Sequence, residues 1–128
     1  RIAGTLGLDN LVMFYDANDI QLSTETSVVT SEDTAAKYRA LGWEVFCIDG
    51  NNVTEIRQAL DAAAKVGGKP SLIIGHCIMG KGALKADGTS YERNCGTHGA
   101  PLGGDAYRNT VKNLGGDPDN AFIICFQF

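Results

Sequence analysis

The chain has 128 residues, 44% of them hydrophobic, with a formal charge of −4 from 11 basic and 15 acidic side chains. That allows one domain with a real core, and the lack of any block of like charge argues against a nucleic-acid footprint, though not against a local basic pocket. No apolar run reaches transmembrane length and no signal-peptide pattern opens the chain, so no membrane partner is expected.

In chain order, Arg1-Ile2-Ala3-Gly4 lacks an initiator Met, and a chain cut from something longer is the expectation. Leu11 to Tyr15 is a continuous apolar run, as in a strand buried on both faces. Thr30 with Asp33 resembles a capping box, Ala35 to Leu41 favours helix, and Gly42 stops it. Trp43 to Ile48 reads as the second strand, closed by Asp49-Gly50, with Trp43 and Phe46 expected in the core. Asn52 with Glu55 predicts an N-cap, and Ile56, Leu60, Ala63 and Ala64 then fall at helical spacing before Gly67-Gly68. Ser71 to Gly75 is the third strand.

Strands alternating with helices over short connections predict an α/β fold, a parallel sheet with helices on both faces. Ligands in such sheets gather at the carboxyl ends of strands. Asp16 to Ile20, Asp49 to Asn52 and His76 to Gly82 all follow strands, so the polar candidates collect on one edge. From Met79 to Gly104 no periodicity holds, and glycines recur at 80, 82, 88, 96, 99, 103 and 104. Long loops of this kind are functional or disordered. Asp105 to Leu114 predicts a last helix, and the tail from Ala121 to Phe128 is apolar and β-prone.

Asn18 carries an amide oxygen and Ile20 can offer a backbone carbonyl, so a tight turn there could present both to a small hard cation. Magnesium takes about six oxygens, often several from phosphates. Two neutral donors leave the ion's charge to an anionic cofactor and a carboxylate from elsewhere. The same residues also make an ordinary Asp/Asn turn. His98 sits in a glycine-rich segment stiffened by Pro101, where imidazole can donate to phosphate or move protons, or simply face solvent. His76 carries the same two alternatives. Cys47, Cys77, Cys95 and Cys125 form no C-x-x-C pair, which argues against zinc and thioredoxin-like sites and fits a reduced, cytoplasmic setting. Gly80-Lys81-Gly82 lacks the Walker spacing.

Nearly the whole chain resembles the second half of the N-terminal, thiamine-diphosphate-binding domain of transketolase. The resemblance is carried by Ala3-Gly4-Thr5-Leu6-Gly7-Leu8, by Tyr15-Asp16-x-Asn18-x-Ile20, and by Leu41-Gly42-Trp43-Glu44-Val45. It continues in Ile48-Asp49-Gly50, Lys69-Pro70-Ser71-Leu72-Ile73 and, most specifically, His98-Gly99-Ala100-Pro101-Leu102-Gly103. The resemblance implies a thiamine-diphosphate-binding fold, incomplete on its N-terminal side, as a partial diphosphate-binding domain over residues 1–128. It implies transfer of a two-carbon ketol unit between sugar phosphates, using thiamine diphosphate and Mg2+ or Ca2+. The implied partners are the remainder of a transketolase chain and a second subunit in a homodimer.

By position, Asn18 would bind the metal through its side chain and Ile20 through its carbonyl. His98 would touch both the cofactor diphosphate and the sugar, assisting proton movement. Three departures stand out. The family's Gly-Asp-Gly element is absent, Asp19 stands where the family often has Gly, and His76-Cys77 stands where it often has Lys-Thr. His76 would replace a cationic contact to the cofactor phosphate. The competing reading is a non-catalytic module of the same fold serving assembly or partner binding. An ordinary nucleotide-binding domain is disfavoured, since no G-x-G-x-x-G follows the first strand.

Overall fold

The computed structural model describes residues 1–120, and the apolar tail from Ala121 with Cys125 lies outside them. The described residues divide into two compact units, one formed by residues 1–19 and 26–78, the other by 20–25 and 79–120.

The first unit carries a three-stranded parallel sheet, β1 (Val12–Ala17), β2 (Glu44–Asp49) and β3 (Ser71–His76), in the order β1-β3-β2. Ser71, Leu72, Ile73, Ile74 and Gly75 are all buried, as the central position demands of a run with no polar face. Helix α1 (Ile2–Thr5) precedes the sheet, α2 (Thr34–Ala40) precedes β2 and α3 (Val53–Ala63) precedes β3. The two faces of the sheet make separate cores. Trp43, Val45, Leu72 and Ile74 pack with Ala35, Tyr38 and Leu41 at α2, while Ile73 packs with Ala59 and Ala63 of α3 and with Phe46 and Ile48. The Tyr38 and Trp43 rings meet edge to face at 5.3 Å, a favoured aromatic geometry.

Local chemistry explains the boundaries. Asn52 accepts from the backbone N–H groups of Thr54 and Glu55, so α3 starts where the cap pattern placed it. For α2 the expectation is corrected. Asp33 is the cap, its carboxylate accepting from Ala36 N at 2.8 Å, and Thr30 Oγ1 instead accepts from Glu32 N. The carboxylate next to the helix reaches the N-terminal amides that Thr30 is too far back to meet. Gly42 ends that turn at φ 84°, open to glycine at no steric cost.

A second correction concerns β1. It is not buried on both faces: Val12, Phe14 and Tyr15 are each exposed by just over 40%. The helices pack chiefly on β2 and β3, so the edge strand keeps its apolar side chains partly uncovered. Cys47, inside the apolar run of β2, is also exposed.

Side-chain hydrogen bonds fasten the described part of the second unit. Lys85 N donates to Thr89 O across the Leu84–Ser90 bridge, and Asp87 accepts from both the backbone and hydroxyl of Thr89. Those two donors hold the Asp87 carboxyl below the usual carboxylate range. The irregular segment is then fastened along α4 (Gly104–Asn113). Thr110 Oγ1 bridges Leu84 N and O, Asn109 donates to the carbonyls of Lys85 and Ala86, and Asn113 donates to that of Gly82. Loop backbone left outside any ladder is thereby satisfied by helix side chains.

Candidate functional site

All three strands of the first unit run parallel in register, so Ala17, Asp49 and His76 end level with one another. Asn18 follows β1 directly and Asn51 follows β2, which places the polar candidates of this unit on the carboxyl edge as expected. Asn18 is half-buried. The next residue, Asp19, has φ 63°, in the left-handed region that Asp tolerates better than most side chains. Asp19 thus makes, with a side chain, a turn whose backbone conformation usually favours glycine. Asp19 O accepts from Thr26 N at 2.9 Å, closing the loop behind it.

His76 is exposed at the end of β3 and opens, together with Asp19, into a cavity of about 610 Å³. Ile74 and Cys47 contribute apolar surface, and Glu32 and Asp33 line the same cavity. Its carboxylates are partly neutralised. Glu32 pairs with Lys37 Nζ at 2.7 Å, raising that ammonium's pKa above its ordinary value, and Asp33 caps α2. Among the described residues no three His, Cys, Asp or Glu side chains gather as a self-sufficient metal site would require.

Within the second unit, Ile20 is buried and bridges Glu25 in antiparallel fashion, with Gln21 N donating to Thr24 O between them. His98 caps the 3-10 turn Cys95–Thr97, its N–H donating to Cys95 O at 3.0 Å, with its side chain exposed. The turn is set by Asn94, whose Oδ1 accepts from Gly96 N, and Gly99 follows at φ 75°. Cys95, three residues before His98, is a half-buried free thiol.

Sequence reasoning placed Asn51 among the strand-end polar residues, within Asp49 to Asn52, but gave it no role of its own. Asn51 Oδ1 accepts from Ile78 N at 2.9 Å across 27 positions of chain. In the sequence it is indistinguishable from a turn asparagine in Asp49-Gly50-Asn51-Asn52. Only the parallel register reveals what lies beside it.

The family described as transketolase, thiamine diphosphate binding domain, matches residues 1–128. The chain belongs to that family. A transketolase of Treponema pallidum is 41% identical over 122 residues, covering 95% of this chain and 18% of that protein. Among solved structures, transketolase from Leishmania mexicana superposes with TM-score 0.87 at 30% identity, over 98% of this chain and 18% of that one. A Pichia stipitis transketolase in complex with sedoheptulose-7-phosphate gives TM-score 0.86 at 33% identity, over 96% of this chain and 18% of that one. The chain thus spans about a fifth of the length of the transketolases it matches, and the parallel α/β sheet is theirs. These relatives favour a part of an enzyme over a non-catalytic module. No helix among the described residues is long and apolar enough to cross a membrane.

Proposed function

We propose that residues 1–128 form part of the diphosphate-binding domain of a transketolase, which transfers a two-carbon ketol unit between sugar phosphates. The observation that carries this is the family match over residues 1–128, together with the chain's polar residues at the carboxyl ends of a parallel sheet. Thiamine diphosphate, when bound, supplies the carbanion chemistry, and the protein binds and orients it. Asn18 would give its side-chain oxygen to Mg2+ or Ca2+ and Ile20 its carbonyl. Both are hard oxygen donors without charge, which suits a cation shared with a diphosphate.

His98 would hydrogen-bond the diphosphate and the sugar, holding or moving a proton at its imidazole nitrogen. An exposed imidazole beside Gly99 leaves room for a ligand to approach the backbone closely. His76 would stand where a cationic phosphate contact is common in the family, reaching the cofactor from the end of β3. The remainder of the transketolase chain, a homodimeric assembly, a place in pentose phosphate metabolism and a cytoplasmic location belong to the same proposal. The test is a ketol-transfer assay with the full-length protein, sugar phosphates, thiamine diphosphate and Mg2+. Turnover that requires both thiamine diphosphate and the metal is expected. Absence of turnover in a folded, cofactor-loaded protein would contradict it.

A further inference from the structure

The backbone beyond β3 is held by the turn beyond β2. Cys77 N still donates to Ala17 O of β1 at 3.1 Å, continuing the sheet's pattern. One residue later the pattern ends, and the next backbone donor, Ile78 N, is taken by the Asn51 carboxamide at 2.9 Å. From the same turn Gly50 N donates to His76 O at 3.0 Å. Two adjacent residues of the β2 turn therefore hold the segment on both sides of Cys77. We propose that Asn51 is a positioning residue, fixing the backbone at 76–78 so that the His76 imidazole faces the cavity it shares with Asp19.

Asn51 is itself fixed from behind. Its N–H donates to Asp49 Oδ1 at 2.9 Å, and Asp49 N donates to Glu55 Oε2 at 2.8 Å. Asn52 Nδ2 donates to Glu55 Oε1 at 3.0 Å while Asn52 caps α3. The turn is thus tied to the first turn of an eleven-residue helix. It also lies tight against its target. A Cβ on Gly50 would stand 2.4 Å from Cys77 Sγ and 3.0 Å from the Gly75 carbonyl carbon. Only glycine lets the turn come close enough for the next residue's short carboxamide to reach Ile78. Asn51 is half-buried and does not line the cavity, so its effect on a ligand there passes through residue 76.

The inference rests on the proposal that His76 contacts thiamine diphosphate, and the experiment separates the two. In the full-length protein, Asn51→Ala, Asn51→Asp and His76→Ala are compared with the unmodified protein. Hydrogen exchange at the Ile78 amide, the line shape of the His76 ring signals and calorimetric affinity for thiamine diphosphate with Mg2+ are measured. Asn51→Asp keeps the acceptor oxygen in place. The expected result is faster Ile78 exchange and broadened His76 signals in Asn51→Ala, with affinity lowered about three- to tenfold, the range of one neutral hydrogen bond. Asn51→Asp is expected to restore Ile78 protection and the His76 line shape. Weakened binding in His76→Ala with unchanged binding and His76 signals in Asn51→Ala would overturn the positioning role alone. Unchanged binding in His76→Ala would remove His76 from the cofactor site and the functional part of the inference with it.

Discussion

Replacing Gly4 with alanine is the sharpest test of how the first unit is packed. A Cβ at residue 4 would lie 1.9 Å from Leu41 O and 3.0 Å from Leu41 C, where ordinary contact begins near 3.4 Å. The obstacle is backbone, so no side-chain rotation relieves it. About 1.5 Å of separation between α1 and the end of α2 would be needed, which is large for a close-packed interior. Such overpacking costs about 1–3 kcal/mol, occasionally more. Alanine's better helix propensity returns at most ~1 kcal/mol, and less in a helix of four residues. If α1 swings away instead, Ala3 leaves the cluster of Trp43, Val45, Leu72 and Ile74, exposing part of a core. Either route predicts a net loss of about 1–2 kcal/mol. Gly67→Ala is the matched control, because its Cβ would meet nothing within 4 Å and its backbone is not left-handed. It should be neutral or stabilise by up to ~1 kcal/mol through the unfolded chain. Urea unfolding with a constant m-value reads both. Gly4→Ala within about 0.5 kcal/mol of the unmodified protein would refute the packing.

Gly75→Ala should destabilise, since its Cβ would sit 2.4 Å from Phe14 Cζ and 3.1 Å from Gly50 Cα, and Phe14→Leu should recover only the side-chain part. A double-mutant coupling below about 0.5 kcal/mol would contradict this. Arg108 meets Asp119 through two bonds of 2.8 and 2.9 Å and holds its carboxyl below the usual range. A folded-state pKa lowered in this way gives stability present above the unfolded value and lost as pH falls through the folded one. Arg108→Ala should therefore move the Asp119 titration upward by carbon NMR, and an unmoved midpoint would count against the pair. His98→Ala should lower ketol-transfer turnover about ten- to a hundredfold, the value of a hydrogen bond to a charged group, while leaving the melting temperature of this exposed site unchanged. Activity within about twofold would remove His98 from the site.

Much of this was legible in the chain, for identifiable reasons. Ser71 to Gly75 reads as a central strand because nothing polar interrupts it, and the structure buries all of it. Asn52 and Glu55 announce α3 because a cap is a local event within four residues. The exposure of Val12, Phe14 and Tyr15 was not legible, since an apolar run looks the same in an edge strand as in a central one. Asp19 could be read as part of a turn, but not its left-handed φ. The contact made by Asn51 escaped for another reason. Its partner Ile78 is distant in sequence and becomes a neighbour only through parallel pairing of β2 with β3.

The most direct measurement is calorimetric titration of thiamine diphosphate into the full-length protein and its Asn18→Ala variant, each with and without Mg2+. Asn18 follows the end of β1 at the sheet's carboxyl edge, and its removal would take a ligand from the metal. Loss of a group that merely orients a metal ligand already costs about 10–100-fold in affinity, so removing a ligand should cost at least as much. Metal-dependent binding in the unmodified protein, weakened at least tenfold in Asn18→Ala, is the predicted result. Equal affinity in the two proteins, or binding indifferent to Mg2+, would contradict it.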